Sequence, residues 1–479
     1  MVVKIAHLTL AKRALIGGGL ALCLGLTIAL RVSLYHVETS DYTVFVSQWY
    51  AYIQIHGGFA ALKDNFSNYN TPYLTLLALT TYLPIPELIA IKTLSVVFDG
   101  VLALFVYLLL RLKYGRGLAT FAGALALLFA PTIFINSAAW GQCDAIYASF
   151  CLGSLYFLLK RRPAWACVFF GLALAFKLQA IFFAPVLLML LLKRALPLRF
   201  LILIPLIFLL LISPALIAGR SLGSLLSIYA QQISGNDSGG NTFHNGGANI
   251  FRSASNSSLS LVISSSHHLH LNKSDSFTIG GPGDSGPSNG QGGSGSPNGG
   301  PGQGGRGGQG GFSRGAGSSS SSLTLNAPNF YQWLSSDAPA SYWKWVGIVL
   351  SGLFILALGI LLLFSKQELT PAILIKITLA FALALPFLLP EMHERYFYLA
   401  DAVSIVYAFY FPRAFYIAII TQLCSLLSYA PYFQQTQIVP LSYLAVAELI
   451  GIILVIIDLV RALYPRARFR SLDPSARLR

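Results

Sequence analysis

The sequence predicts an all-α membrane protein with many transmembrane helices. Of its 479 residues, 55% are hydrophobic and 10% are charged, whereas soluble domains carry about 25% charged residues. The apolar residues form runs about as long as the roughly 20 residues that a helix needs to cross a bilayer. The clearest runs are 15–30, 89–110, 200–218, 346–364 and 444–460. A soluble globular fold is excluded, because the chain has too few polar residues to cover a surface in water.

Basic residues between the apolar runs predict the orientation of the chain. The net charge of +15 is concentrated in short loops, which is typical of loops that remain in the cytoplasm. The basic clusters lie at 12–13, 111–116, 160–162, 193–199, 366, 413 and 461–479. If every cluster lies inside, the chain makes about twelve spans with both termini in the cytoplasm. The same placement argues against a nucleic-acid partner.

Changes in composition divide the chain into four regions. They are an N-terminal transmembrane region at 1–233, an external insertion at 234–322, a C-terminal transmembrane region at 323–462 and a basic cytoplasmic tail at 463–479. The insertion is rich in Gly, Ser, Asn and Pro, and its few apolar residues cannot offset the entropy lost on ordering. We therefore expect a disordered external segment. His267, His268 and His270 within it could hold a metal, but a solvated tract is the simpler interpretation.

The first outer loop, residues 35–86, is predicted to contain interfacial helices. Asp41 falls in the first turn of a helix whose apolar stripe ends at Gly57 and Gly58, and glycines commonly end helices. An amphipathic helix of this kind lies in the membrane interface. A second apolar stretch, 72–83, is too short to span a bilayer, so we expect an interfacial or re-entrant segment there.

Polar residues that are not basic loop anchors gather near the outer ends of the predicted spans. They are Asp41, Asp64, Asn70, Trp140, Gln142, Asp144, Lys177, Gln179, His393, Glu394, Arg395, Tyr396 and Asp401. Ionisable groups at membrane depth are costly and usually serve function or pairing. Because these residues come from several parts of the chain and converge on one side, they predict a functional site.

Simpler interpretations stay open for some of the ionisable residues. Asp144 and Asp401 could be first-turn acids that a helix dipole favours. Lys92 and Asp99 lie on one face of a helix, where structural pairing explains them better than a site does. Glu448 lies within a predicted span, and the sequence offers no explanation for it.

Four motifs resemble those of a known group of membrane enzymes. The motifs are Asp41-Tyr42, Trp140-Gly141-Gln142-Cys143-Asp144, Phe176-Lys177-Leu178-Gln179 and Met392-His393-Glu394-Arg395-Tyr396. In this order, they resemble the bacterial membrane mannosyltransferase-like proteins of the GT-C superfamily. The segment 323–331 is similar to a stretch that follows an outer loop in that group. The His-Glu-basic run also resembles the dolichyl-phosphate-glucose-dependent glucosyltransferases of the endoplasmic reticulum.

The resemblance implies a hexosyltransferase of mannose or glucose type. Its donor would be a polyprenyl-phosphate-linked sugar, its acceptor a lipid or glycan, and its location the bacterial plasma membrane, with the active site on the outer face. Because phosphate is a good leaving group, one carboxylate base and phosphate-binding cations are sufficient, whereas glycosidases need a second carboxyl group.

The resemblance also implies a role for each candidate site residue. Asp41, at the position equivalent to the superfamily's first-loop aspartate, would be the catalytic base. The residues expected to bind the donor phosphate are Arg395, Lys177 and His393. The residues expected to bind the sugar or shape the site are Trp140, Gln142, Asp144, Gln179, Glu394, Tyr396 and Asp64. No cofactor is predicted, although Asp41, Asp144, His393 and Glu394 could hold a divalent metal.

Two other functions compete with this interpretation. A secondary transporter would also have about twelve spans, but it would normally show repeated halves and a site near the midplane. A polysaccharide polymerase or ligase would share the lipid-linked substrate, but we would expect essential basic residues in its large outer loop. The sequence shows neither feature.

Overall fold

The computed structural model describes residues 9–234, 323–335 and 338–465. All described residues belong to one compact unit. The predicted external insertion, with His267, His268 and His270, lies outside the described residues except for its first residue, and so does most of the basic tail.

The described residues are mostly helical. The α-helices are α1 (Leu10–Ser33), α2 (Ser47–Ile55), α3 (Thr71–Thr80), α4 (Glu87–Tyr114), α5 (Leu118–Leu128), α6 (Pro131–Phe134), α7 (Asp144–Leu159), α8 (Pro163–Phe176), α9 (Ala184–Leu192), α10 (Leu203–Ala218), α11 (Leu222–Ser234), α12 (Ala340–Phe364), α13 (Pro371–Leu388), α14 (Tyr398–Tyr410), α15 (Phe415–Ser428), α16 (Ala430–Gln434) and α17 (Leu441–Leu463). Two short strands, β1 (Thr324–Leu325) and β2 (Met392–His393), pair in parallel.

Seven helices of the described residues are long and apolar enough to cross a membrane. They are Ala14–Ser33, Glu87–Tyr114, Leu198–Ala218, Ala340–Phe364, Pro371–Leu388, Pro412–Gln434 and Leu441–Leu463. The pair Leu118–Leu128 and Pro131–Ala139, bent by 48°, would make an eighth. The predicted helical membrane architecture is confirmed, but the count of about twelve spans is not. Several of the predicted spans are shorter apolar helices, such as α7 with 16 residues, which rises about 24 Å against a hydrocarbon core about 30 Å thick, so length and composition alone do not identify them as spans.

The helices pack in two groups that share one large apolar core. In the first group α7 lies between α4 and α8, and α8 also packs on α10. In the second group α13, α14, α15 and α17 form a four-helix arrangement in which α13 and α15 each contact both α14 and α17. In an apolar 18-residue stretch of α13, 83% of the residues are buried inside the protein, against 11% in the corresponding stretch of α1. Helix α13 is therefore a central helix, whereas α1 presents an apolar surface suited to lipid.

Two buried charged residues of α4 hold the end of α1 and the start of the first outer loop. Asp99 accepts from Arg31 of α1 at 2.9 Å, and both side chains are buried. Lys92 donates to the carbonyls that follow α1, those of Leu34, Tyr35 and Val37. Because carbonyls at a helix C-terminus lack intrahelical donors, the Lys92 ammonium group satisfies them. Lys92 and Asp99 thus act structurally and hold the chain where it leaves α1, shortly before Asp41.

Candidate functional site

The Asp41 carboxylate is the centre of a polar cluster drawn from three distant parts of the chain. Its Oδ2 atom accepts from Trp140 Nε1 at 3.1 Å and from Gln142 Nε2 at 2.6 Å. Arg395 Nη1 lies 3.3 Å from the same oxygen. Among the described residues, the other oxygen, Oδ1, has no hydrogen-bond donor. The side chain is 21% exposed, so one oxygen is held by the protein while the other is left for a ligand.

Irregular helical turns place the residues around Asp41. The chain after Asp41 begins with a π-helical turn, Tyr42–Val46, and a second π-helical turn, Ile135–Ala139, precedes Trp140. Single π-helical turns occur frequently at functional sites. Gly141 then has a φ of +76°, a conformation that glycine adopts without strain. The sharp turn that follows brings the side-chain amide of Gln142 to the same oxygen as the Trp140 indole.

A second carboxylate, Asp144, begins helix α7 and is fully buried. Its Oδ1 lies 2.5 Å from Lys177 Nζ, and its Oδ2 accepts from Asn136 Nδ2 at 3.0 Å. Lys177 lies in extended backbone between α8 and the 3₁₀ helix Leu178–Phe183, and its ammonium group lies 5.8 Å from the centre of the Tyr69 ring. Both partners of this ion pair are therefore already engaged by the protein.

The motif from His393 to Tyr396 lies at the two-stranded sheet. Strand β1 pairs Leu325 with His393, which brings the segment after the insertion to the motif. The His393 ring packs edge-on against Tyr396, with 5.1 Å between ring centres. Burial, together with the charges of Arg395 and Lys177, lowers the pKa of His393 well below its ordinary value. A neutral imidazole can form hydrogen bonds but carries no charge for a phosphate.

Arg395 joins the motif to the Asp41 cluster. Its guanidinium group lies 5.4 Å from the Trp140 ring centre, and Nη1 lies 3.7 Å from Glu394 Oε1. Burial opposes the charge, but the Asp41 and Glu394 carboxyl groups raise the pKa of Arg395 above its usual range. Within the part of the chain that the structure describes, Arg395 Nε and Glu394 Oε2 are buried without a hydrogen-bond partner. Burial raises the pKa of Glu394 from 4.5 to about 7, and Arg395 moderates the rise.

Not every predicted site residue reaches this cluster. Asp64 accepts from Tyr52 Oη at 2.9 Å, and its backbone carbonyl accepts from Arg220, so it fixes the first outer loop rather than contacting Asp41 or Asp144. The buried Gln179 Oε1 has no hydrogen-bond partner in the described ranges. Asp401 is fully buried in α14, where the Thr132 and Ser425 hydroxyl groups lie beside it.

The structure adds residues that the sequence analysis missed. The Tyr432 hydroxyl group accepts from the Asp41 backbone N–H at 3.0 Å and from Ser40 Oγ at 2.9 Å. Its ring stacks on Trp140, with 4.2 Å between ring centres. Tyr432 lies in α16, a short aromatic helix without a charged residue. Its composition resembles the many other aromatic stretches of the chain, so no local signal marked it as part of a site.

The hydrogen-bonding groups of the cluster determine which ligands it can bind. A guanidinium group with an unpaired N–H suits an anion, because its planar fork can hold two oxygens. The Asp41 oxygen without a donor can accept a proton. Among residues 9–234, 323–335 and 338–465, no group of three or more His, Cys, Asp or Glu side chains is arranged to hold a metal ion.

The fold and the cluster together define an integral membrane protein with a buried polar site. The family model of glycosyltransferase family 87 matches residues 66–273. That family is a GT-C-type membrane glycosyltransferase family, so the predicted resemblance is confirmed and the match implies a membrane glycosyltransferase. The match covers less than half of the chain; it includes Trp140, Asp144 and Lys177 but neither Asp41 nor Arg395. No curated protein matches the chain.

Proposed function

We propose that the protein transfers a hexose of mannose or glucose type from a polyprenyl-phosphate carrier to a lipid or glycan acceptor. The observation that carries the proposal is the contact between Asp41 and Arg395. A candidate base and a candidate phosphate ligand lie 3.3 Å apart in a site that neighbours apolar helices. A lipid-linked donor could reach such a site from the bilayer, and its phosphate would be bound next to the base.

Asp41 acts as the general base in this proposal. Trp140 and Gln142 both donate to Oδ2, so they orient the carboxylate and leave Oδ1 for the acceptor hydroxyl group. We assign these two residues to positioning of the base, because their donor atoms are already used by Asp41. A general base held in one orientation needs no rearrangement when the acceptor binds.

Arg395 binds the donor phosphate in this proposal. Arg395 can turn its unpaired Nε, and the Nη1 that now contacts Asp41, towards phosphate oxygens. A guanidinium group binds such oxygens in bidentate fashion. Lys177 remains on Asp144 and supplies positive potential rather than a direct contact, and the neutral His393 supplies a hydrogen bond. Once Arg395 turns to the phosphate, Asp41 keeps the hydrogen bonds from Trp140 and Gln142.

The reaction is a single displacement with inversion at the anomeric carbon. The acceptor oxygen attacks that carbon and its proton passes to Asp41 Oδ1. The bond between the anomeric carbon and the phosphate oxygen breaks, and its electron pair leaves with the phosphate. Arg395 stabilises the charge that develops on the phosphate. No acid is required to protonate the leaving group, so one carboxylate is sufficient.

We place the site on the non-cytoplasmic face of the bacterial plasma membrane, with both termini in the cytoplasm. The support is the distribution of basic residues: the loop before α13 contains Lys366, whereas the loop with Asp41 lacks a basic cluster. Single cysteines at Lys63 and Lys366, both exposed, should react with membrane-impermeant reagents from opposite sides. Labelling of both from one side contradicts this orientation.

Purified protein in lipid nanodiscs tests the function. Radiolabelled polyprenyl-phosphate mannose and polyprenyl-phosphate glucose are supplied with candidate lipid acceptors, and transfer to the acceptor and release of polyprenyl phosphate are measured. We expect one donor to be consumed with inversion, and Arg395→Ala to weaken donor binding more than Arg395→Lys does. In proteoliposomes, label that crosses the bilayer without donor consumption would instead identify a transporter.

A further inference from the structure

The Asp99 carboxylate of α4 is hydrogen-bonded to three segments that lie far apart in the chain. Arg31 Nε donates to Oδ2 at 2.9 Å, Ser137 Oγ donates to the same oxygen at 2.5 Å, and the Tyr398 hydroxyl group donates to Oδ1 at 3.5 Å. The carboxylate and its three partners are all buried. One side chain therefore joins the end of α1, the turn before Trp140 and the start of α14.

Two of these partners precede the residues that form and orient the proposed base. Arg31 lies in the last turn of α1, ten residues before Asp41. Ser137 belongs to the π-helical turn that ends directly before Trp140. Because Trp140 Nε1 donates to Asp41, the two segments meet twice, once at the Asp99 carboxylate and once at the Asp41 carboxylate. A shift of either segment at Asp99 should therefore move the base relative to its donor.

The third partner follows the proposed phosphate ligand. Tyr398 begins α14 three residues after Arg395, and Arg395 Nη1 lies 3.3 Å from Asp41 Oδ2. This segment is thus also held at two points. Neutral donors complete the hydrogen bonding of a buried, ion-paired carboxylate, and here both neutral donors of Asp99 come from segments that lead directly into the candidate site.

We propose that Asp99 is a positioning residue for the glycosyl transfer: it sets the placement of Asp41 relative to Arg395, and so of the acceptor hydroxyl group relative to the donor phosphate. The inference rests on the proposed function for its effect on rate, whereas the contacts that carry it stand independently. Asp99 acts through the segments that it binds and not on the reacting atoms. Misplacement of reacting groups by about 1 Å can lower a rate by about 10²-fold, so a remote carboxylate can control turnover.

Two neutral variants test this role, because each removes one hydrogen bond to Asp99. Ser137→Ala loosens the segment that orients the base, so kcat should fall, by up to about 10²-fold, while the Kd for the donor changes little. Tyr398→Phe loosens the segment that carries Arg395, so the Kd and the KM for the donor should rise. Transfer and binding of radiolabelled polyprenyl-phosphate mannose or glucose are measured on the full-length protein in nanodiscs. A purely structural role would not divide the two effects in this way.

The chain offers a matched control for each variant. Ser149 is a buried serine that donates to the α4 backbone at Phe98 instead of to the Asp99 side chain, and Tyr407 is a buried tyrosine of α14 that donates to Asp458. Ser149→Ala and Tyr407→Phe should leave kcat and the donor Kd unchanged. The proposal is overturned if Ser137→Ala and Tyr398→Phe behave like the unmodified protein, or if all four variants change the same constants alike.

Hydrogen exchange measured by mass spectrometry tests the positioning role without substrate. In Asp99→Asn, the backbone amides of 135–142 and 391–397 should exchange faster than in the unmodified protein, whereas those of α17 should not. Unchanged exchange in both segments of the folded variant overturns the proposal. If Asp99→Asn does not fold, Ser137→Ala should accelerate exchange in 135–142 and Tyr398→Phe in 391–397, and unchanged exchange in both again overturns it. If the unmodified protein transfers no sugar from either donor, the proposed function fails, and hydrogen exchange alone decides whether Asp99 positions these segments.

Discussion

The two ion pairs of the candidate site differ in the distance between their charged atoms and in the burial of their side chains. Asp144 and Lys177 are 2.5 Å apart, and their side chains are 0% and 8% exposed. Asp41 and Arg395 are 3.3 Å apart, and their side chains are 21% and 13% exposed. A buried pair is costly to separate, whereas a longer, partly exposed contact exchanges partners readily. We therefore expect the Asp144–Lys177 pair to serve stability and the Asp41–Arg395 pair to serve the proposed reaction.

Substitution of the two aspartates gives the largest expected contrast. Asp41→Asn should lower the transfer rate by roughly 10²–10⁴-fold, the usual effect of losing a general base, with donor binding near normal. Transfer from a labelled donor and donor binding are measured on the same nanodisc preparation. Asp64→Asn is the control, because Asp64 lies in a separate network. Full activity in Asp41→Asn with loss in a folded Asp144→Asn would make Asp144 the base.

Breaking the buried pair should act on stability. Lys177→Met leaves the buried Asp144 without its cation, which typically costs about 3–5 kcal/mol, and Lys177→Met with Asp144→Asn should recover part of the loss. Lys344 and Glu391 form an ion pair that is about one third exposed, so Lys344→Met should change the free energy of unfolding by at most about 1 kcal/mol. Denaturant unfolding in mixed micelles measures both. Equal changes in Lys177→Met and Lys344→Met would contradict a structural role for the buried Asp144–Lys177 pair.

Glu394 should make stability depend on pH. Burial raises its pKa from 4.5 to about 7 in the folded protein, so the folded state binds more protons than the unfolded state between these values. Stability should therefore fall as the pH rises through this window, by up to about 1.4 kcal/mol per pH unit, and the contribution should level off above it. Thermal melts of Glu394→Gln should lack this component, whereas the more exposed Glu391→Gln should retain it. A rise in stability through the window would contradict the assignment.

The smallest expected effect concerns the Tyr432 hydroxyl group, which accepts a hydrogen bond from the Asp41 backbone N–H. Tyr432→Phe keeps the ring on Trp140 but removes the acceptor for the Asp41 backbone N–H. One hydrogen bond contributes about 1 kcal/mol, so the transfer rate should fall about five-fold while the KM for the donor changes little. Tyr443→Phe, at an exposed tyrosine, is the matched control. An unchanged rate in Tyr432→Phe would show that Trp140 and Gln142 position Asp41 without help.

The sequence predicted more of the architecture than of the contacts. The helical membrane fold follows from apolar composition, and the motif order led to the glycosyltransferase resemblance that the family match confirms. The count of about twelve spans is not confirmed, because several apolar helices, such as α7, are too short for length and composition alone to identify them as spans. Trp140 and Gln142 were expected to bind the sugar or shape the site, but the sequence did not show that both side chains donate to Asp41.

Composition and local order by themselves determined that this chain forms apolar helices and that a few costly polar residues interrupt them. Only the tertiary structure decided which polar residues meet, because these contacts join positions far apart in the chain: Arg395 lies against Asp41, and Tyr432 against Trp140. It also decided that Asp144 pairs with Lys177, whereas no described cation forms an ion pair with Asp401. Burial turns each such choice into a large free-energy difference, and burial is a property of the packed helices rather than of any local sequence.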